Sequence, residues 1–98
     1  MLVHVVAFRW KAGVEQEKIE SIMAEIASLE DKIDGIEVSV GENISPVASH
    51  LTHAIVVRAS SDQAFDTYLS HPDHLAVAEA IGQAADEALV LDFHDDRS

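Results

Sequence analysis

Seven consecutive residues, Tyr68-Leu69-Ser70-His71-Pro72-Asp73-His74, carry the densest chemistry in the chain. A proline pushes the residue before it out of the helical region and suits the first position of a helix. One helix should therefore stop near His71 and another start at Pro72, so that Tyr68 and His74 converge from two helix ends across a short gap. His74 would then sit near a helix N-terminus, whose positive end opposes a second proton on the ring. A neutral imidazole can act as general base, and a phenol beside it can donate to a developing oxyanion. The same spacing also suits a structural junction in which His71 caps, Pro72 punctuates and Tyr68 is half-buried.

Two more histidines lie in apolar surroundings. His4 shares a strand side with Val6 and Phe8, and His53 shares one with Leu51 and Ile55. On neighbouring strands the two imidazoles would share one sheet face, with the face enclosed by a dimer as the candidate. Either histidine alone reads as a hydrogen-bonded core residue, whereas the pair together points to a polar pocket. Tyr68 and His74 are thus the expected catalytic pair, and His4, His53, His71 and Phe8 the expected pocket residues. His71 and His74 with Asp73, or His4 with His53, would offer borderline metal ligands. None of these matches a zinc signature and the chain has no Cys, so neither a metal nor another cofactor is expected. Gly41 and Gly82 are isolated, which leaves no phosphate-cradling loop.

The elements that must hold these residues follow from periodicity. Leu2 to Trp10 reads as a strand, and Lys11-Ala12-Gly13 as the break after it. From Glu15 to Ile33 the apolar residues Ile19, Ile22, Met23, Ile26, Leu29 and Ile33 mark an amphipathic helix, stopped by Asp34-Gly35. Ile36 to Val40 alternates as a strand with one wet face. Gly41 to Pro46 is loop, and Leu51 to Ala59 is a further strand. Ser60 with Gln63 reads as a capping box that opens the helix carrying Ala64, Phe65, Tyr68 and Leu69. The helix from Pro72 runs to Ala84 or Ala85, and Ala88 to Phe93 is the last strand. Right-handed crossovers turn this order into an α+β, ferredoxin-like split βαβ domain over residues 1–94, followed by a polar tail at 95–98. Its four-stranded antiparallel sheet would carry helices on one face, with the first and third strands central.

Helices on one side leave the other sheet face to water, and that face should then be polar. Only the second strand obeys. The first sets Val3, Val5 and Ala7 against Leu2, Val6, Phe8 and Trp10; the third sets Ala54 and Val56 against Leu51, Ile55 and Val57; the last sets Ala88 and Val90 against Leu89, Leu91 and Phe93. An apolar patch of that size predicts a homodimer, sheet against sheet.

Composition narrows the partners. In 98 residues, eighteen acidic side chains face six basic ones, for a formal charge of −12. Without clustered Lys or Arg, neither nucleic acid nor an anionic membrane surface is expected as a partner. The opening apolar run lacks a basic n-region and a cleavage site and is too short to span a bilayer, so a cytoplasmic location is expected.

His4-Val5-Val6-Ala7-Phe8, Gly41-Glu42-Asn43-Ile44-Ser45, Thr52-His53-Ala54, Tyr68 to His74 and Val90-Leu91-Asp92-Phe93 together carry a family likeness. Over nearly its whole length the chain resembles the stress-responsive A/B barrel family, small dimeric α+β barrels first noted in plant stress proteins. The resemblance implies a ferredoxin-like protomer and a barrel made by two of them. The family includes a plant polyketide cyclase that works by aldol condensation. By similarity to it, His74 would be the general base, Tyr68 its partner at the substrate oxygen, and His4 and His53 would line the same pocket. Some relatives bind magnesium near the end of the first helix, where Asp31 and Asp34 would be the candidates. The resemblance thus implies a homodimeric stress-responsive protein without an assigned activity, with an enclosed His/Tyr-lined pocket suited to a small aromatic or polyketide-like ligand. A cyclase-like or lyase-type enzyme is the alternative.

Overall fold

Residues 1–96 are described by a computed structural model. The elements are β1 (Leu2–Trp10), α1 (Gln16–Ala27), β2 (Ile36–Glu42), β3 (His53–Ala59), α2 (Asp62–Ser70), α3 (Pro72–Ala84) and β4 (Ala85–His94), with a 3-10 turn at Ser28–Asp31. All pairings are antiparallel and the order across the sheet is β2-β3-β1-β4. The β-branched run of β1 is central because both β3 and β4 pair along it.

The first helix is shorter than its apolar periodicity predicts. Ser28 donates its hydroxyl to the Glu25 carbonyl at 2.7 Å, and the chain tightens into the 3-10 turn. Leu29 and Ile33 remain buried, so the apolar stripe outlasts the helix that began it. Gly35 then turns the chain with a φ of +78°, a conformation that suits glycine. The cap of α2 is Ser61 rather than Ser60: the Ala64 amide donates to Ser61 Oγ at 3.0 Å. Ser60 instead donates its amide to the Gly35 carbonyl at 2.8 Å, which ties the start of β2 to the end of β3.

Register fixes the faces. His4, Val6 and Phe8 of β1 share the helix-covered side with Ile55 and Val57 of β3, and with Ala88, Val90 and Asp92 of β4. The core packs there, between the sheet and Ile19, Ile22, Met23, Ile26, Phe65, Tyr68 and Val77 of the helices. The opposite side presents Val5, Ala7, Val56, Leu89, Leu91 and Phe93, beside Glu37 and Ser39 of β2. Leu91 is 65 % exposed on this side.

One expectation is corrected here. The sheet is not closed into a barrel: β2 and β4 are its two edges, with β3 and β1 between them and no pairing from edge to edge. Closure requires the first and last strands of the sheet to pair with each other, and here the four strands leave the edges apart. Of the polar tail, Asp95 donates its amide to the Met1 carbonyl at 2.8 Å, while Arg97 and Ser98 lie outside the described residues. Among the described residues no helix is long and apolar enough to cross a membrane.

Candidate functional site

The α2–α3 junction turns on one residue. His71 leaves the helical region with φ −63° and ψ 133°, and it is both the C-cap of α2 and the N-cap of α3. Its Nδ1 accepts from the Asp73 amide at 3.1 Å, satisfying one of the donors that the helix start leaves without an intrahelical partner. Pro72 follows at the first position of α3. Tyr68 and His74 meet across this corner with ring centroids 4.4 Å apart.

His74 is held by its other neighbour in the corner. The ring Nδ1 lies 3.1 Å from the Leu69 carbonyl. A carbonyl can only accept, so Nδ1 carries the proton and Nε2 keeps its lone pair. Burial lowers the affinity of the ring for a second proton. The Leu69 hydrogen bond raises it in part, while His4 and His71 lower it further. The sequence anticipated a neutral His74 from the helix dipole; here the main cause is desolvation.

Tyr68 is 3 % exposed, and burial pushes its phenol up to about 12. It is therefore a donor at any ordinary pH. Its hydroxyl makes no hydrogen bond among the described residues. The oxygen is nonetheless not sealed in, since no fully enclosed side-chain polar atom lacks a partner. It gives onto a cleft.

His4 reaches that cleft from β1. Register places it opposite Asp92 of β4, and its Nδ1 donates to the Asp92 carboxylate at 2.5 Å. The ring, 8 % exposed, packs 5.1 Å from Phe65 and 6.4 Å from Tyr68 between centroids. Asp92 fixes the tautomer and orientation of His4, leaving Nε2 as the unpartnered nitrogen.

The cleft has a volume of about 330 Å³ and lies between α3 and the sheet, within the size range of small-molecule sites. Its polar groups come from His4, Tyr68 and His74, and the rest of the wall is apolar, including Ile55, Val77, Ile81 and Val90. No Lys or Arg lines it. The structure thus brings together three of the six residues singled out from sequence.

The other three lie elsewhere. His53 shares the helix-covered face with His4, not the face left free for a dimer, and stands at the far end of the strands. There its Nδ1 accepts from the indole Nε1 of Trp10 at 2.9 Å. It lines a separate surface depression with Gln16, Glu20 and Glu42. Phe8 is fully buried at 0 % exposure and packs edge-on against Trp10, so it is core. His71 faces a polar hollow of about 440 Å³ with Lys32, Ser60 and Ser61, on a different side of the corner. Asp92 was missed, although it is the one polar residue among Ala88, Val90 and Asp92 on its side of β4.

The residues near the end of the first helix do not fit the magnesium that the family likeness implies. Among the described residues no group of three or more His, Asp or Glu is disposed to hold a metal ion. Asp31 and Asp34 stand exposed without such a set, and no step is derived through a metal.

The model of the stress responsive A/B barrel domain matches residues 2–95. The chain belongs to this family. Among curated members, the A/B barrel protein HS1 of Arabidopsis thaliana is 30 % identical over 93 residues, spanning 92 % of this chain and 85 % of that protein. Among solved structures, a hydroxynitrile lyase from Passiflora edulis superposes with a TM-score of 0.88 at 24 % identity, covering 99 % of this chain and 94 % of the lyase. A dimeric ferredoxin-like protein of unknown function from Thermobifida fusca superposes with a TM-score of 0.83 at 22 % identity, covering 96 % and 90 %. At these identities the two structures share the fold with this A/B barrel domain and establish no more than that. Family membership and the open ferredoxin-like sheet are therefore established for this chain, and the chemistry must be argued from its own cleft.

Proposed function

We propose that this A/B barrel protein is a homodimer whose protomers each bind a small aromatic or polyketide-like carbonyl compound in the cleft of His4, Tyr68 and His74. The observation that carries the reading is the Tyr68 hydroxyl, on a residue 3 % exposed and without a hydrogen-bond partner among the described residues. That hydroxyl is not enclosed, so its donor is open to the cleft and available to a ligand acceptor. A ligand carbonyl oxygen suits it, and the apolar wall suits the body of the same ligand.

Pairing of protomers is supported by the apolar side of the sheet, where Leu89, Leu91 and Phe93 stand exposed. Burying them would recover roughly 25 cal/mol per Å² of apolar area, against the costs of association. The Thermobifida fusca neighbour is itself described as dimeric.

A second reading has its own observation. Burial disfavours a second proton on His74, its Nδ1 is engaged by the Leu69 carbonyl, and its ring lies 4.4 Å from that of Tyr68 between centroids. With a ketone bound, His74 Nε2 would take the proton from the carbon next to the carbonyl. The C–H electrons would move into a C–C double bond and charge would gather on the oxygen, where Tyr68 donates. That step begins an aldol cyclisation, and run backwards it is the last step of the reverse cleavage.

Titration of the protein with 2′,4′-dihydroxyacetophenone, followed by the His74 ring resonances, tests binding. A saturable shift that Tyr68→Phe weakens at least fivefold is expected. Resonances that stay still would defeat the reading. Exchange of the acetyl protons with deuterium, faster with wild type than with His74→Ala, would separate catalysis from binding.

A further inference from the structure

The cleft opens between α3 and the edge strand β4, and the two banks of that opening are unusually bare. On α3 the lining residues Val77, Ala78, Ile81 and Gly82 recur at helical spacing. Within that set Ala78 and Gly82, four residues apart, form one row that is exposed at the rim. Across from them stand Ala88 and Val90 of β4.

Gly82 is out of place on helix grounds. It lies inside the last turns of α3, where glycine is the poorest residue apart from proline. It does not need a positive φ, since the only positive-φ glycines among the described residues are Gly13 and Gly35. It does not make room for a packed neighbour either, because a Cβ built there meets nothing within 4 Å. Neither backbone strain nor close packing accounts for it. A side chain at 82 would extend into open space from the rim of the cleft that Gly82 lines.

We infer that Gly82, with Ala78 behind it, is a specificity-determining residue that holds the mouth open for an uncharged ligand longer than the cleft. This rests on the proposed binding function. The ring or carbonyl end would sit inside against Tyr68, and the remainder would pass out between Gly82 and Val90. The ligand is uncharged because the wall carries no Lys or Arg to pair an anion and no Asp or Glu to pair a cation, while the overall charge of −12 repels anions.

Three probes test this: 2′-hydroxyacetophenone, 2-acetyl-1-naphthol and the anionic 1-hydroxy-2-naphthoate. Each is titrated into wild type, Gly82→Ala and Gly82→Leu with the His74 resonances as readout. Wild type is expected to bind both ketones, and the naphthoate at least tenfold more weakly than the acetylnaphthol. Gly82→Leu should lose tenfold or more for the acetylnaphthol while holding the single-ring ketone within threefold, with Gly82→Ala between them. Both variants should melt no lower than wild type, since each replaces glycine with a better helix former. Equal loss for both ketones, or no loss for either, overturns the role of Gly82 and leaves the binding function standing. Equal binding of the naphthoate and the acetylnaphthol overturns the uncharged ligand. Silence of wild type towards all three probes overturns the binding function itself, and the inference with it.

Discussion

The Trp10 indole donates to Nδ1 of His53 at 2.9 Å, joining the last residue of β1 to the first residue of β3. The bond uses the only lone pair of a neutral imidazole, so His53 carries its proton on Nε2. Trp10 is the only tryptophan in the chain, which makes the pair easy to follow. Trp10→Phe should lower stability by about 1–2 kcal/mol, from a lost hydrogen bond and a small void. It should leave ketone binding at the Tyr68 cleft within twofold of wild type. Urea unfolding followed by circular dichroism measures the first and His74 resonances the second. Ligand binding that collapses along with Trp10 would place His53 back in the site.

Acid should weaken the protein partly through His74. Burial lowers the affinity of this ring for a proton in the folded chain, while in the unfolded chain it titrates near its ordinary value of about 6.5. The unfolded state thus binds more protons as the pH drops below that value. The contribution of His74 is intact above the ordinary value and is lost as the pH falls towards the lower folded one. Between pH 7 and pH 5 the urea midpoint of His74→Gln should fall less than that of wild type. Parallel falls would mean that the ring titrates in the folded chain as it does in the unfolded one.

Gly35 answers to two constraints at once. Its φ is +78°, and a Cβ placed there would lie 2.5 Å from the Ser60 hydroxyl. Gly35→Ala should cost about 1–3 kcal/mol, the usual range for a forced left-handed residue. Ser60→Ala should recover part of that loss by removing the clash while leaving the strain. Thermal unfolding of both single variants and the double gives the cycle, and strict additivity would show that the contact is not felt.

Leu91 tests the pairing of protomers. It stands 65 % exposed on the helix-free side of the sheet, where a lone chain would leave it in water. Leu91→Asp should give a folded protomer that sediments as a monomer at micromolar concentration, where wild type sediments as a dimer. A variant that still pairs would move the interface off this side of the sheet.

Much of this was legible in the residues, and the misses have physical causes. Alternation in β1 and β3 gave both faces, because a period of two leaves no freedom once one side is buried, and right-handed crossovers placed the two strands at the centre. The corner at His71-Pro72 was legible because proline acts locally. Ser60 and Ser61 were confused because either can cap, and the choice depends on which one Gly35 engages across the sheet. His53 was assigned to the cleft because a strand pattern tells which face a residue is on and not how far along it. The barrel made by two protomers was a property attached to the family likeness and not to any residue here. Asp92 escaped because its partner, His4, is 88 positions away, and the one available hint was a lone acid on the covered side of β4.

His71 ends one helix and begins the next with no residue between them. There is no slack in that corner, so Tyr68 and His74 ride on what is mechanically a single bent rod. Opening the cleft by swinging one helix would tear the other. The spacing of the two groups is therefore set by the corner itself, and the bank facing them is β4, which pairs with β1 alone.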